Sequence, residues 1–428
     1  MLYKANKNTA DKKGVVIGGT NYGLVNTGTI VNNIITVSNG QTYECKLVRD
    51  FVKPGVLETD MGLALLEWKQ SFPSQLVGRE TEFSALRKWA KSSPQFSCGI
   101  LCGDGGTGKT RLAFELAKEL ANGHWEAGSP NLALKDIAIP LGALGTLLII
   151  DYPEEQETKK LEGLLKTLKQ AVIGSEDNTK LRVLLLSRNQ ALLEINIINT
   201  HCYSTLKPLT LKPLDEVNPF DLHQSAIEEL KIRFQLDAQP CDKELFDQWL
   251  KKDPVHGLPL MVLAYSINCA KDPDSISMIG GELIQQILNR EDELIRKKCQ
   301  TIGKESLYAG VLLLRSISVV TNGLDYSTLG QLWKEFEPKD LGGIQLPSPY
   351  DLTELGFCIN DQPLYPIAPD LFAAHELFKR PYTIQWPILL PLLLNTSPAP
   401  ILNRLSRLAW DYKVLKRHKA EAIPCLRT

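Results

Sequence analysis

The chain has 428 residues with 48 Lys and Arg against 49 Asp and Glu, a net charge of −1. That is too long for one core, so on the order of two to four domains are expected. The balanced charge supplies no global basic field for nucleic acid or an anionic membrane. The nine cysteines form no C-x-x-C pair, and their scatter argues for a reducing, cytoplasmic setting rather than a disulfide framework or zinc site. The N-terminus lacks a signal-peptide apolar core, and the apolar stretch 388–394 is too short to span a bilayer.

Residues 1–45 are rich in Gly, Asn, Thr, Val and Ile. Asn21-Tyr22-Gly23 returns five residues later as Asn26-Thr27-Gly28, followed by Leu24-Val25 and by Ile30-Val31 respectively. High β propensity with almost no charge and no proline is the profile of an assembly-prone β segment; the alternative is a short hairpin or a flexible tail. On the assembly reading, residues 14–37 order only when copies stack, with Gly23 and Gly28 at turns. Residues 46–74, punctuated by Pro and Gly, predict a linker with a short helix near 61–70.

Leu76-Val77-Gly78-Arg79-Glu80 is followed by Phe83, Leu86 and Trp89 at helical spacing. The apolar run 96–102 predicts a buried strand. Residues 103–110, Gly-Asp-Gly-Gly-Thr-Gly-Lys-Thr, then fit the phosphate-binding pattern G-x-x-x-x-G-K-[ST]. A helix follows, with Leu112, Ala113, Leu116 and Leu120 on one face. In this setting glycines let backbone N–H groups turn onto phosphate oxygens at a helix N-terminus. Lys109 would reach the β- and γ-phosphates of ATP, and Thr110 would ligate Mg2+.

Strand 146–150 delivers Asp151, a carboxylate suited to the same Mg2+. Tyr152 follows it, and acids return at Glu154 and Glu155. Either acid could activate water, or both could simply begin the predicted helix 154–172. Strand 181–188 ends on Arg188, whose guanidinium can fork onto a γ-phosphate. A further strand is expected at 202–209. Strands alternating with helices predict a parallel sheet.

From Pro219 the pattern is helical: 221–235, 242–251, 259–270, 277–290 and 292–299. Helices at 307–319 and 327–335, a loop at 338–349, a strand-like 357–367 and a further helix give a winged-helix order. The tail 383–428 is apolar, then basic, with Arg404, Arg407, Lys413 and Lys416.

Val77–Glu80, the loop at 103–110, 147–151 with its later acids, 184–188 and Gly257-Leu258-Pro259-Leu260 resemble, in order and rough spacing, the STAND NTPases. These are signal-transduction ATPases that include the NACHT and NB-ARC families, and the acids at 154 and 155 are most similar to NACHT. The resemblance covers about residues 75–380. It implies a switch that holds ADP at rest, exchanges it for ATP and forms a homo-oligomer on activation, in defence or programmed cell death, with a partner protein as effector or sensor. It implies adenine contact at Pro259 and a β-phosphate contact at His375. It places nucleotide-binding residues at Val77, Gly78, Arg79, Gly103, Gly105, Gly106, Thr107, Gly108, Lys109, Thr110 and Arg111. The N-terminal segment is similar to short amyloid signalling motifs of NTPase sensors.

The resulting expectation is an α/β P-loop NTPase, a parallel sheet flanked by helices, over 75–218. A helical domain (219–303), a winged-helix domain (304–382) and a helical tail (383–428) follow, after a Gly/Asn-rich β segment (1–45) and a linker (46–74). Two departures stand out: no 20–50-residue repeat follows 380, and no recognisable effector precedes the NTPase. A mechanical AAA+-like ATPase is the alternative, disfavoured by Tyr152 where a Glu is usual. An ATP-dependent DNA-binding regulator is a third reading. Acids outnumber basic residues over 307–378, so nucleic acid is an unlikely partner.

Overall fold

The computed structural model describes residues 27–31, 34–47, 62–131, 135–155, 158–173, 179–188, 206–214, 218–272, 278–357, 364, 367–379, 386–396 and 398–416. The chain divides into two compact units. Unit 1 holds residues 1–53, 79–103 and 108–211, and unit 2 holds 54–78, 104–107 and 212–428.

Unit 1 is built on a sheet whose parallel part comprises β3 (Phe96–Cys102), β4 (Trp125–Asn131), β6 (Gly145–Asp151), β7 (Lys180–Ser187) and β8 (Leu209–Thr210). Their order is β4-β6-β7-β3-β8, all pairs parallel. β3, β6 and β7 are mostly apolar and buried nearly end to end, as strands covered on both faces tend to be. Among the described residues three helices belong to this unit: α1 (Glu80–Lys91), α2 (Lys109–Asn122) and α3 (Thr158–Ile173). Leu161, Leu164, Leu165 and Leu168 of α3 join Phe96, Ile100, Leu148, Ile150 and Val183 in one apolar cluster. Leu112, Ala113, Leu116 and Leu120 of α2 are buried, as their spacing predicts. The helix predicted from 154 starts later, because Pro153–Glu155 form a separate 3-10 turn.

Part of the N-terminal segment, 27–31 and 34–47, is described. β1 (Thr27–Val31) and β2 (Ile34–Leu47) pair antiparallel, with Thr27 opposite Ser38 and Gly28, inside β1, opposite Val37. β2 also pairs with β5 (Lys135–Pro140) and β4, antiparallel in both cases. The ladder groups of 27–31, 34–38 and 41–47 thus find partners within their own chain, which is the alternative to stacking on copies. Residues 1–26, with Asn21-Tyr22-Gly23, lie outside the described residues. So do 202–205 of the strand predicted at 202–209, of which Leu209–Thr210 is described as strand.

Unit 2 is helical: α4 (Asn218–Phe234), α5 (Lys243–Lys252), α6 (Pro259–Lys271), α7 (Gly280–Thr301), α8 (Tyr308–Thr321), α9 (Tyr326–Glu335), α10 (Pro349–Glu354), α11 (Asp370–Lys379), α12 (Trp386–Thr396) and α13 (Pro398–Leu415). The predicted helices 277–290 and 292–299 are one helix, α7, which runs on through Glu291–Asp292–Glu293. The short helix expected near 61–70 is two 3-10 turns, Leu63–Leu66 and Trp68–Gln70. One apolar cluster spans α4 to α13, so the regions read as helical domain, winged helix and tail share a single core. Of the predicted hairpin at 357–367, Leu364 bridges Leu324; 358–363 and 365–366 lie outside the described residues. Arg404 and Arg407 do not form a solvated basic face. Both are buried against Asp370, with Arg404 Nη1 at 2.8 Å and Arg407 Nε at 3.6 Å from its carboxylate.

The core of unit 2 holds a titratable group in one protonation state. His223 is fully buried among Phe220, Phe246 and Tyr265. Its Nε2 accepts from the Cys241 N–H at 3.2 Å and its Nδ1 lies 2.9 Å from Ser266 Oγ. The Ser266 hydroxyl donates to Val262 O, so Nδ1–H is the donor toward Ser266. Protonating Nε2 would set two donors against each other, and burial pushes the His223 pKa down to about 4. The unfolded chain takes up this proton near the usual 6.5, so the contribution is complete above that pH and is lost as pH falls toward 4. Between pH 7 and pH 4 the urea midpoint should fall, by on the order of 3 kcal/mol of stability from this group. His223→Gln should flatten that limb; an unchanged pH slope would assign the acid sensitivity to other groups.

Candidate functional site

The carboxyl ends of β6, β7 and β3 lie together at one edge of unit 1. Ser187 pairs with Cys102 and Leu186 with Asp151, so Gly103, Arg188 and Tyr152 leave three adjacent strands at one level. β3 is flanked by β7 on one side and β8 on the other, with connections leaving in both directions. This is the switch point where α/β sheets open a crevice.

At this point Gly103 (φ 150°) donates its N–H to Ser187 O at 3.2 Å. Gly108 (φ 91°) stands as N-cap of α2 in a left-handed conformation that a side chain would oppose. Lys109 is 7% exposed, and its Nζ donates to Gly103 O at 2.7 Å, closing the loop on itself. One residue on, the Thr110 hydroxyl donates to Asp151 Oδ2 at 3.0 Å. The two residues predicted to ligate a metal are therefore in contact. Among the described residues no group of three or more His, Cys, Asp or Glu could hold an ion. A hydroxyl and a single carboxylate suit Mg2+, which keeps waters and takes phosphate oxygens rather than an all-protein cage.

Asp151 is followed by a sharp reversal. Tyr152 has φ 53°, and its N–H donates to Leu186 O and to Asp151 Oδ1, each at 3.1 Å. The reversal returns Glu154 to the end of β7, where its Oε1 accepts from the Arg188 N–H at 3.4 Å. Glu154 Oε2 is buried and has no hydrogen-bond partner among the described residues. The Arg188 guanidinium lies over the Tyr152 ring, 5.1 Å from its centroid. Glu154 and Arg188 thus meet, as neither motif alone would require. The side chain of Glu155 lies outside the described residues. Arg111 reaches Glu115 along α2 at 4.0 Å. Arg79 is buried at the start of α1 and pairs with Glu82 at 3.2 Å.

The division between the units passes through the glycine-rich loop, and residues 104–107 belong to unit 2. There the Thr107 hydroxyl donates to Asp104 O at 2.8 Å. Gly106 (φ 80°) accepts the Leu260 N–H at 3.2 Å, at the α6 N-terminus that begins with Pro259. A Cβ on Gly106 would meet Leu371 Cδ1 at 2.7 Å, and one on Gly105 would meet Asp411 Oδ1 at 2.5 Å. Both glycines are required by close approach of α6, α11 and α13. Asp411 and Leu371 carried no sequence signal, since nothing local links them to the loop. Gly78 (φ 72°) is crowded by Asn218 Cβ at 2.8 Å and Leu214 at 2.9 Å, and Val77 packs on the unit 2 core. His375 is buried on α11 with its Nε2 3.0 Å from Gln285 Oε1 of α7; in this structure the imidazole packs α11 onto α7.

The loop, the five parallel strands and the flanking helices together make the α/β P-loop fold. No family model matches the chain, and no curated protein matches it. Among solved structures it is similar to S. cerevisiae Hsp104 in a casein complex, at 13% identity over 60% of this chain and 48% of that chain, TM-score 0.36. It is also similar to the Aeropyrum pernix ORC2 protein, at 13% identity over 82% and 96%, TM-score 0.35. Thermotoga maritima RuvB gives 15% identity over 71% and 96%, TM-score 0.33. The chain spans about half the length of the Hsp104 chain. At such identities and scores these likenesses bear on neither substrate nor partner, and the fold rests on this chain's own sheet order and loop. No helix among the described residues is long and apolar enough to cross a membrane.

Proposed function

We propose that the chain is an ATP/ADP-dependent switch of the STAND class with slow ATPase activity. The observation that carries this reading is the grouping of Lys109, the Thr110–Asp151 contact and Arg188 at one strand edge. Lys109 would leave Gly103 O for the β- and γ-phosphates. Thr110 and Asp151 would hold Mg2+, which supplies charge neutralisation to the phosphates. Arg188 would distinguish ATP from ADP through the γ-phosphate, the differential contact that any nucleotide switch needs. Glu154, anchored by one oxygen and with the other unbonded, would accept a proton from attacking water.

The finer parts of the reading follow the STAND resemblance: Pro259 against adenine, His375 releasing Gln285 to meet ADP, and a winged helix within 304–382. The same resemblance supports homo-oligomer formation on activation, a partner effector or sensor, and a role in defence or programmed cell death.

Glu154→Gln should slow ATP turnover by on the order of 100-fold while leaving ATP affinity within about twofold. Single-turnover hydrolysis together with equilibrium binding checks this. Wild-type turnover in the variant would move the water-activating role to another residue. Fast steady turnover in the wild type would favour the mechanical ATPase instead.

A further inference from the structure

The residue after Asp151 has no role in the phosphate chemistry described so far, yet it adopts an uncommon conformation. Tyr152 is a non-glycine residue in the left-handed region, φ 53°, which costs free energy unless the surroundings hold it. Two hydrogen bonds hold it here, from its N–H to Leu186 O and Asp151 Oδ1. The consequence of the turn is that its ring comes beneath the Arg188 guanidinium, 5.1 Å from centroid to Cζ. On the other side of Arg188, Glu154 Oε1 takes the backbone N–H. The arginine at the end of β7 is therefore held at its backbone by Glu154 and at its head by an aromatic face. A guanidinium stacked on a ring keeps its N–H donors at the rim, in plane and available for forked bonds to an anion.

We infer that Tyr152 is a positioning residue: it uses the left-handed turn after Asp151 to carry the Arg188 guanidinium at the phosphate end of the sheet. This deepens the nucleotide reading and rests on it for the identity of the anion, a nucleoside triphosphate γ-phosphate. It also accounts for an aromatic residue where a second acid is common. The site uses that position to fix a cation and takes its acid from Glu154.

The variants are Tyr152→Asn, which tolerates the left-handed turn but removes the ring, and Tyr152→Phe, which keeps it. In the nucleotide-free full-length chain, the Arg188 Hδ and Hε signals, assigned with Arg188→Lys, should carry a ring-current shift in the wild type and in Tyr152→Phe. Tyr152→Asn should lose it. With Mg2+ and a non-hydrolysable ATP analogue, Tyr152→Asn should bind about tenfold more weakly, with ADP affinity unchanged, and Tyr152→Phe should match the wild type. An unshifted Arg188 signal in the wild type would overturn the inference. So would a Tyr152→Asn chain with wild-type affinity for both nucleotides, or one weakened equally for both. A wild type that shows the shift but binds neither nucleotide would instead defeat the proposed function and leave the stacking established.

Discussion

Lys109→Ala should weaken ATP and ADP binding by at least about 100-fold, because the phosphates lose a buried cation at the loop. Lys109 is 7% exposed and positioned by its bond to Gly103 O. Its removal also leaves Gly103 O without that donor. Lys109→Gln is the paired control: an amide can still donate to Gly103 O but carries no charge. Both variants should melt within a few degrees of the wild type and both should fail to bind. Retained ADP and ATP affinity in either one, measured by isothermal titration, would remove phosphate binding from this loop.

Arg182→Met should cost on the order of 3 kcal/mol of stability, because buried carbonyls lose a charged donor and an acceptor left unmet costs about 1–3 kcal/mol. Arg182 lies in β7, fully buried, yet no carboxylate pairs with it among its described hydrogen bonds. Its guanidinium instead donates to five carbonyls: Trp89 (3.4 Å), Ala90 (3.0 Å), Ser92 (2.7 Å), Gln95 (3.3 Å) and Leu181 (3.1 Å). Three of these belong to the C-terminal turn of α1 and the residue capping it, where the helix dipole favours a cation and the last carbonyls lack helical partners. Burial pushes the Arg182 pKa down to about 10, still far enough above neutrality for the charge to persist. Methionine fills similar volume but offers these carbonyls no donor, although Trp89 O and Gln95 O keep the N–H groups of Ser92 and Leu181. Urea denaturation of Arg182→Met at pH 7 gives the loss; a change below about 1 kcal/mol would mean that water replaces the guanidinium.

Unit 1 was more legible in the sequence than unit 2. The glycines at 103–108, Lys109, Thr110, Asp151 and Arg188 lie within short windows whose strand–loop–helix pattern sets their placement. The sheet then brings the windows to one edge. Arg182 was hidden because one charge inside an apolar run gives no hint of four carbonyl partners some ninety residues away. The close approaches of Asp411 to Gly105 and of Leu371 to Gly106 were invisible for the same reason: contact at large separation leaves no local pattern. The Gly105 and Gly106 glycines were read as phosphate-binding, and packing in unit 2 supplies a second reason for them. In the N-terminal segment, β propensity cannot say whether a partner strand comes from another copy or, as for β2, from β4 and β5 of the same chain. α7 runs through Glu291–Asp292–Glu293, which are exposed or half-buried, so helices expected separately at 277–290 and 292–299 are one.

Native mass spectrometry of the full chain, incubated with Mg2+ and either ADP or a non-hydrolysable ATP analogue, tests the switch itself. One nucleotide per chain is expected in both conditions, with a monomer in ADP and a higher assembly with the ATP analogue, the assembly being lost in Arg188→Ala. A chain that takes up no nucleotide, or that shows the same mass distribution with both, would contradict the switch.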